Sequence, residues 1–357
     1  IRYDEIIVIL KEVFQPSIDS LLRGGTDVDT NYSVLRDDDS KLAYRVNVTP
    51  TLPGMSEDVG LQAVFRTISS MPPSCDELGV ESELMPLCGR ARGLVLLVGP
   101  TGSGKTTLIV AFLRHIIETQ RKQVVTYEDP AEYNLKAIKN RKSLVTQCEV
   151  YRHVKDWSRA VRNSLRRAPD VMLYGELRDL ETIKSGLLAS ETGHLVFATA
   201  HTGGVPSTFS RLVEGMPADE ARGITAKLIE STQAIVFQSL VRRRGGGRIA
   251  LRSYLVFSDP MRRQMQTALL RDGDVTSVMH ELLQQHGKTI MADAKKKFSE
   301  GQIDIEEYLV VINQNGEWSD TKIIPTVTRD LLKRGIITQD EANDWMASYD
   351  ELEDKVA

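Results

Sequence analysis

The chain has 357 residues, 41% hydrophobic and 26% charged, with a formal net charge of −4. That length points to about two domains with a further appendage, and the apolar share excludes wholesale disorder. The slight acidity excludes a bulk polyelectrolyte partner of nucleic acid. Three scattered cysteines, Cys75, Cys88 and Cys148, exclude a disulfide framework or a zinc ribbon and fit reduced thiols in a cytoplasmic protein.

Residues 1–22 place Ile6, Ile9, Leu10, Val13 and Phe14 at helical spacing, and Gly24-Gly25 closes that segment. The N-terminus carries acids where a secretory leader is basic. Apolar stretches such as Ile6–Leu10 and Leu94–Val98 are far shorter than the ~20 residues a membrane helix needs, so no membrane insertion is expected. The runs Tyr32–Leu35 and Leu42–Val48 flank a polar turn, Arg36–Ser40, and a third run covers Gln62–Ile68. A helix plus short antiparallel strands makes a small α+β domain. A Ser/Pro seam over 69–74, a helix-like stretch and Cys88–Gly93 follow, which sets a domain boundary near residue 90.

Beyond it, short apolar runs alternate with helical periodicity. Leu94–Val98, Val124–Tyr127, Leu144–Gln147, Val171–Tyr174 and Leu195–Ala200 read as buried strands. Helices are expected over about Lys105–Thr119, around Trp157–Leu165 and over Leu180–Ala189. This rhythm predicts a parallel α/β sheet. Ala234–Val241 and Arg248–Phe257 read as a hairpin whose tip, Arg242–Gly247, is a charged turn. From Ser258 the chain is helical. It contains two Gly-then-capping-box junctions, Gly301 with Asp304-x-x-Glu307 and Gly335 with Thr338-x-x-Glu341.

Gly99-Pro100-Thr101-Gly102-Ser103-Gly104-Lys105-Thr106 fits Gly-x4-Gly-Lys-[Ser/Thr], after a buried strand and opening a helix. Its glycines let backbone N–H groups wrap a phosphate, and the helix N-terminus adds positive potential. Lys105 would reach the β- and γ-phosphates of ATP, and the Thr106 hydroxyl would hold Mg²⁺. Hydrolysis also needs a group that orients water. Val171–Glu176 is a buried strand ending in a carboxylate. It lacks the usual Walker-B Asp, so Glu176 is the candidate base. Glu128 ends another strand, as either a base or a ligand to a magnesium-bound water. His201 follows a third, as either a γ-phosphate contact or a structural histidine.

Together these stretches resemble the ATPase family of type II and type IV secretion and of pilus assembly and retraction, over about Ala43–Phe257. Gly99–Thr107 is similar to its Walker A, and Val125–Tyr133 to its Asp box. Ala168–Asp179 is similar to its atypical Walker B, and Glu191–His194 with His201-Thr202 to its His box. The tetracysteine module of assembly ATPases and the Ala-Ile-Arg-Asn segment of retraction motors have no counterpart. Glu149–His153 is similar to the Dot/Icm-type (type IVB) secretion and conjugation branch.

The resemblance implies a PAS-like α+β domain (1–90), a RecA-like ATPase core (91–257) and a helical C-terminal region (258–357). It implies a homohexamer, cytoplasmic and peripheral at the inner membrane through secretion-system proteins. Thr107 joins the nucleotide loop and His201 the catalytic set. Arg178 and Arg166 match positions that reach a neighbouring subunit's nucleotide; Arg66 is a weaker candidate for reaching the nucleotide from the N-terminal domain. The rival readings are a pilus-retraction motor, a nucleic-acid translocase and a nucleotide-gated scaffold. Few aromatics and no basic bulk argue against the translocase, so no direct nucleic-acid partner is expected.

Overall fold

The computed structural model describes residues 7–8, 10–11, 18–35, 41–52, 60–68 and 71–356. Most of the expected helix over 1–22 and the whole of the turn Arg36–Ser40 lie outside them. In chain order the elements are α1 (Ile18–Arg23), β1 (Val28–Leu35), β2 (Lys41–Thr51), β3 (Gly60–Ile68), β4 (Gly93–Val98), α2 (Lys105–Thr119), β5 (Gln123–Glu128) and β6 (Leu144–Glu149). Next come α3 (Trp157–Ser164), β7 (Val171–Glu176), α4 (Leu180–Glu191), β8 (Leu195–Ala200), α5 (Thr208–Leu212), α6 (Ala218–Ser231), β9 (Thr232–Arg242) and β10 (Arg248–Val256). The C-terminal helices are α7 (Asp259–Arg271), α8 (Val275–His286), α9 (Ile290–Ser299), α10 (Ile305–Asn315), α11 (Ile324–Lys333) and α12 (Gln339–Val356).

The helix-like stretch before residue 90 is a 3-10 segment, Ser82–Gly89, with Pro86 inside it. In an α-helix the proline ring would clash with the carbonyl four residues back, which disfavours that form here.

Packing divides the chain into two compact units that interleave in sequence: Ile1–Val80 with Val110–Pro169, and Glu81–Ile109 with Asp170–Ala357. In the first, β1, β2 and β3 form an antiparallel meander, Val28 opposite Val48 and Ala43 opposite Ile68. Val46 and Val48 on its inner face pack with Ile18 and Leu22. The same unit holds β5 and β6, paired in parallel from Gln123–Leu144 to Glu128–Glu149.

The second unit carries the strand run β10-β9-β4-β8-β7. β4 is parallel to β8 on one side and to β9 on the other, and β7 is parallel to β8. β4 and β8 are buried along their whole lengths. That is why Leu94–Val98 and Leu195–Ala200 are unbroken apolar runs, since helices cover both faces of a parallel sheet. β9 and β10 form the expected hairpin, Arg242 opposite Arg248.

The C-terminal helices enclose a core of their own. Phe298 stacks on Tyr308 with ring centroids 4.5 Å apart, Trp345 sits beside it, and Leu251 of β10 joins the cluster. Of the two capping boxes read from sequence, the one at Thr338 forms: its hydroxyl accepts from Glu341 N at 3.2 Å and Glu341 accepts from Thr338 N at 2.7 Å. Asp304 makes no such cap. It pairs instead with Arg244 at 3.2 Å. The hairpin tip is therefore more than a charged turn: Arg244 also donates to Ile336 O and to Glu341. The sequence reading missed this because the partners lie about 60–100 residues away along the chain, beyond any local pattern.

Candidate active site

β4 runs straight into the glycine-rich loop. Gly99 has φ of +140°, and a Cβ there would lie 2.3 Å from the Gln238 carbonyl oxygen; at Gly104, with φ of +81°, it would lie 3.0 Å from Gln238 Nε2. Backbone conformation favours glycine at both positions, and at Gly99 the neighbouring strand's backbone leaves no room for a Cβ. Lys105 opens α2 and is 7% exposed. Its ammonium donates to Gly99 O at 2.8 Å and Pro100 O at 2.9 Å. The Ser103 hydroxyl is buried without a hydrogen-bond partner. Such an orphan costs free energy unless an oxygen-rich ligand satisfies it. Thr106 and Thr107 are half-buried in the first turn of α2, while Pro100, Thr101 and Gly102 lie exposed on the loop. An orphan hydroxyl, a buried ammonium and a glycine cradle together fit a phosphate chain.

Parallel register brings two more groups to the same edge. Val98 pairs with Ala200, so His201 leaves β8 level with Gly99. On β7, Tyr174 pairs with Ala198 but Glu176 pairs with Thr199, leaving Gly175 as an extra residue. The Thr199 hydroxyl donates to the Gly175 carbonyl and fastens this bulge. A bulge bends its strand and re-aims the next side chain. Here it turns Glu176 toward His201, with Oε1 3.7 Å from Nε2; their side chains are 39% and 44% exposed. β7 lies two strand spacings from β4, about 10 Å.

Arg178 follows, its side chain 53% exposed and 3.8 Å from Asp179. Asp179 caps α4 through a complete capping box with Thr182, which also accepts from Arg178 N at 3.2 Å. The backbone at Arg178 is thus fixed while its guanidinium reaches out. A cleft of about 650 Å³ opens here, lined by Glu176, Arg178, His201, Thr202, Arg211 and Glu220 among others.

The remaining predicted residues belong to the first unit. Glu128 ends β5 and is 3% exposed. Its Oε1 accepts from Thr126 Oγ1 at 2.7 Å and Gln147 Nε2 at 2.8 Å, and its Oε2 is buried with no partner. Burial pushes its carboxyl up to about 7, against the lowering pull of the Thr126 and Gln147 hydrogen bonds. Arg166 is exposed just beyond the end of α3, and Arg66 is exposed on β3.

Two participants escaped the sequence reading. The Gly175 bulge needs cross-strand register to be seen. Gln238, 4% exposed, donates from Nε2 to Ser103 O at 2.7 Å. Its signal was present: an amide inside the apolar run Ala234–Val241 must find partners.

A glycine loop between a buried parallel strand and a helix, with a carboxylate and an imidazole at the ends of the next two strands, places the chain in the RecA-like P-loop class. Comparison with known proteins narrows the class. The type II/IV secretion system protein family matches residues 34–310. The type IV pilus retraction ATPase PilT of Pseudomonas aeruginosa is 38% identical over 244 residues, 68% of this chain and 67% of that one. A solved structure of the ATPase DotB of Legionella pneumophila superposes with a TM-score of 0.77 at 34% identity, covering 87% of this chain and 84% of DotB. The pilus retraction motor PilT with bound ADP gives 0.71 at 32% identity, covering 84% and 82%. The chain belongs to the type II/IV secretion system protein family and is an ATPase of that family.

Proposed function

We propose that this chain is a hexameric motor that turns ATP hydrolysis into domain motion on a type IVB (Dot/Icm-like) secretion or conjugation machine, docking at the inner membrane through protein partners. The observation that carries the motor chemistry is the shared edge of β4, β8 and β7, which gathers Lys105, His201 and Glu176. The Dot/Icm reading is supported by the Glu149–His153 segment and the likeness to DotB. A pilus-retraction motor is the second reading, favoured by the identity with PilT. Among the described residues no helix is long and apolar enough to cross a membrane. The division into 1–90, 91–257 and 258–357 belongs to the same proposal.

In this reading the loop Gly99–Thr107 wraps the triphosphate, and Lys105 exchanges its carbonyl partners for the β- and γ-phosphate oxygens. Mg²⁺, held by the Thr106 hydroxyl, would neutralise phosphate charge. Glu176 orients the attacking water and accepts its proton, and His201 contacts the γ-phosphate. Glu128, with a proton affinity near neutrality, serves as a second base. Arg178, with Arg166 as the alternative, reaches the nucleotide of the neighbouring subunit.

The test is a mixing experiment. Arg178→Ala and Lys105→Ala are each expected to be inactive. Mixed subunits restore turnover if the arginine acts across the interface, because some interfaces then pair an intact loop with an intact arginine. Subunit exchange is checked by light scattering. With exchange confirmed, no recovered ATPase removes Arg178 from the role, and the mix is repeated with Arg166→Ala.

A further inference from the structure

The underside of the nucleotide loop is joined to the C-terminal helices by a chain of buried polar groups. Gln238 and Arg252 are directly opposite on the hairpin, so their side chains share one face. Arg252 is 2% exposed and donates from Nε to Gln238 Oε1 at 2.8 Å. That bond settles which way the amide points. Arginine can only donate and the Ser103 carbonyl can only accept, so the amide oxygen must face Arg252 and the nitrogen must face Ser103.

Arg252 is held in turn. Its Nη1 lies 3.2 Å from Glu81 Oε2, and its backbone N donates to Asp293 Oδ2 at 2.8 Å. Lys288 bridges Glu81 at 2.9 Å and Asp293 at 2.6 Å, and Lys297 reaches Asp293 at 2.6 Å. Burial works to raise the Asp293 carboxyl. The Lys297 charge, the hydrogen bonds from Lys288 and Lys297, and the Arg252 N–H overcome that and leave it below the usual range. Lys288 is raised despite burial by Asp293 and Glu81. Glu81 is the residue at which the chain enters this unit, and Asp293 and Lys297 belong to α9.

We propose that Gln238 is a positioning residue for the phosphate loop, oriented by Arg252, and that nucleotide affinity therefore answers to the Glu81–Lys288–Asp293 cluster at the base of the C-terminal helices. Buried charge is costly, and a hydrophobic pair of the same shape would serve the fold as well. A chain of fixed donors and acceptors does something packing cannot: it pins one peptide of the loop, at Ser103, in one orientation. The side of the loop away from the ligand is thereby tied to the residues that would move if α9 shifted.

The inference rests on the nucleotide-binding reading, and its test separates the two. Titration with a fluorescent N-methylanthraniloyl ATP gives Kd, and a melting curve gives stability, for Gln238→Met, Arg252→Met and the double variant. Loss of one buried hydrogen bond that shapes the site is expected to weaken binding about 10-fold. If Arg252 acts through Gln238, the double variant binds no worse than the Gln238 variant alone. Effects that multiply to about 100-fold overturn the relay. A Gln238→Met Kd within about 2-fold of the original chain, with only a lower melting temperature, overturns the positioning role. Should Arg252→Met fail to fold, Glu81→Gln keeps the shape and Arg252 itself; it is expected to weaken binding about 3-fold, and no change in Kd overturns the outer part of the relay. An original chain that does not bind the probe at all overturns the nucleotide reading and this inference together.

Discussion

β5 and β7 end alike in sequence: an apolar run, then a glutamate. Their ends are not alike in structure. Glu176 follows a bulge, stands more than a third exposed and faces an imidazole across 3.7 Å. Glu128 follows an unbroken strand, is sealed from water and has one oxygen without a partner. Burial alone therefore sorts two identical side chains into different chemistries. The open one can meet a solvent-borne nucleophile. The sealed one is held near neutrality, where a group both binds and releases a proton with ease.

Replacing the open carboxylate should do the most damage. Glu176→Gln keeps the shape but is no base, and turnover is expected to fall ~10³-fold, with N-methylanthraniloyl-ATP affinity unchanged. Unaltered turnover would strip Glu176 of its role and leave Glu128 as the base. A smaller but more specific effect is on pH dependence. If Glu128 must be ionised to act, the turnover rate rises about tenfold per pH unit up to about 7 and then levels. Glu128→Gln should abolish that limb in whatever activity remains. A limb near pH 7 that survives the substitution belongs to another group.

The smallest effect is on stability, and its sign follows from the raised carboxyl. Below the ordinary value of 4.5 the group is neutral folded or unfolded and costs nothing. As pH rises from there to about 7, the unfolded chain ionises and the folded one resists, so stability declines; above 7 the loss is complete. At 1.36 kcal/mol per unit the loss is on the order of 3 kcal/mol. Glu128→Gln stays neutral throughout. It should melt several degrees higher than the original chain at pH 8 and at the same temperature at pH 4.5. Equal melting at both pH values would show that Glu128 is not sealed.

The difference between the two strand ends also marks what a sequence can disclose. The loop Gly99–Thr107, its helix and the strands ending at Glu176 and Ala200 were legible because each is written in contiguous residues with a fixed period or spacing. The Gly175 bulge was not, because it exists only as a slip of β7 against β8. In sequence Arg244 reads as part of a charged hairpin tip, and Asp304 as a helix cap. Each found the other across the fold, and no local rule forecasts that choice. Gln238 stood out as polar in an apolar strand, but its partner Ser103 is 135 residues away.

Lys105 gives the loop a kinetic character. Its ammonium already spans two carbonyl oxygens of its own loop, so an arriving nucleotide does not rescue a stranded cation; it displaces incumbents. Binding then yields only the difference between two well-satisfied arrangements. The same incumbents stand ready when ADP leaves, and they compete for the lysine from the moment its grip loosens. Product residence is therefore expected to be shorter than in a loop whose lysine has no such partners, with no change in the residues that perform the chemistry. A cyclic enzyme profits from that, because a site that clung to its product would idle between strokes.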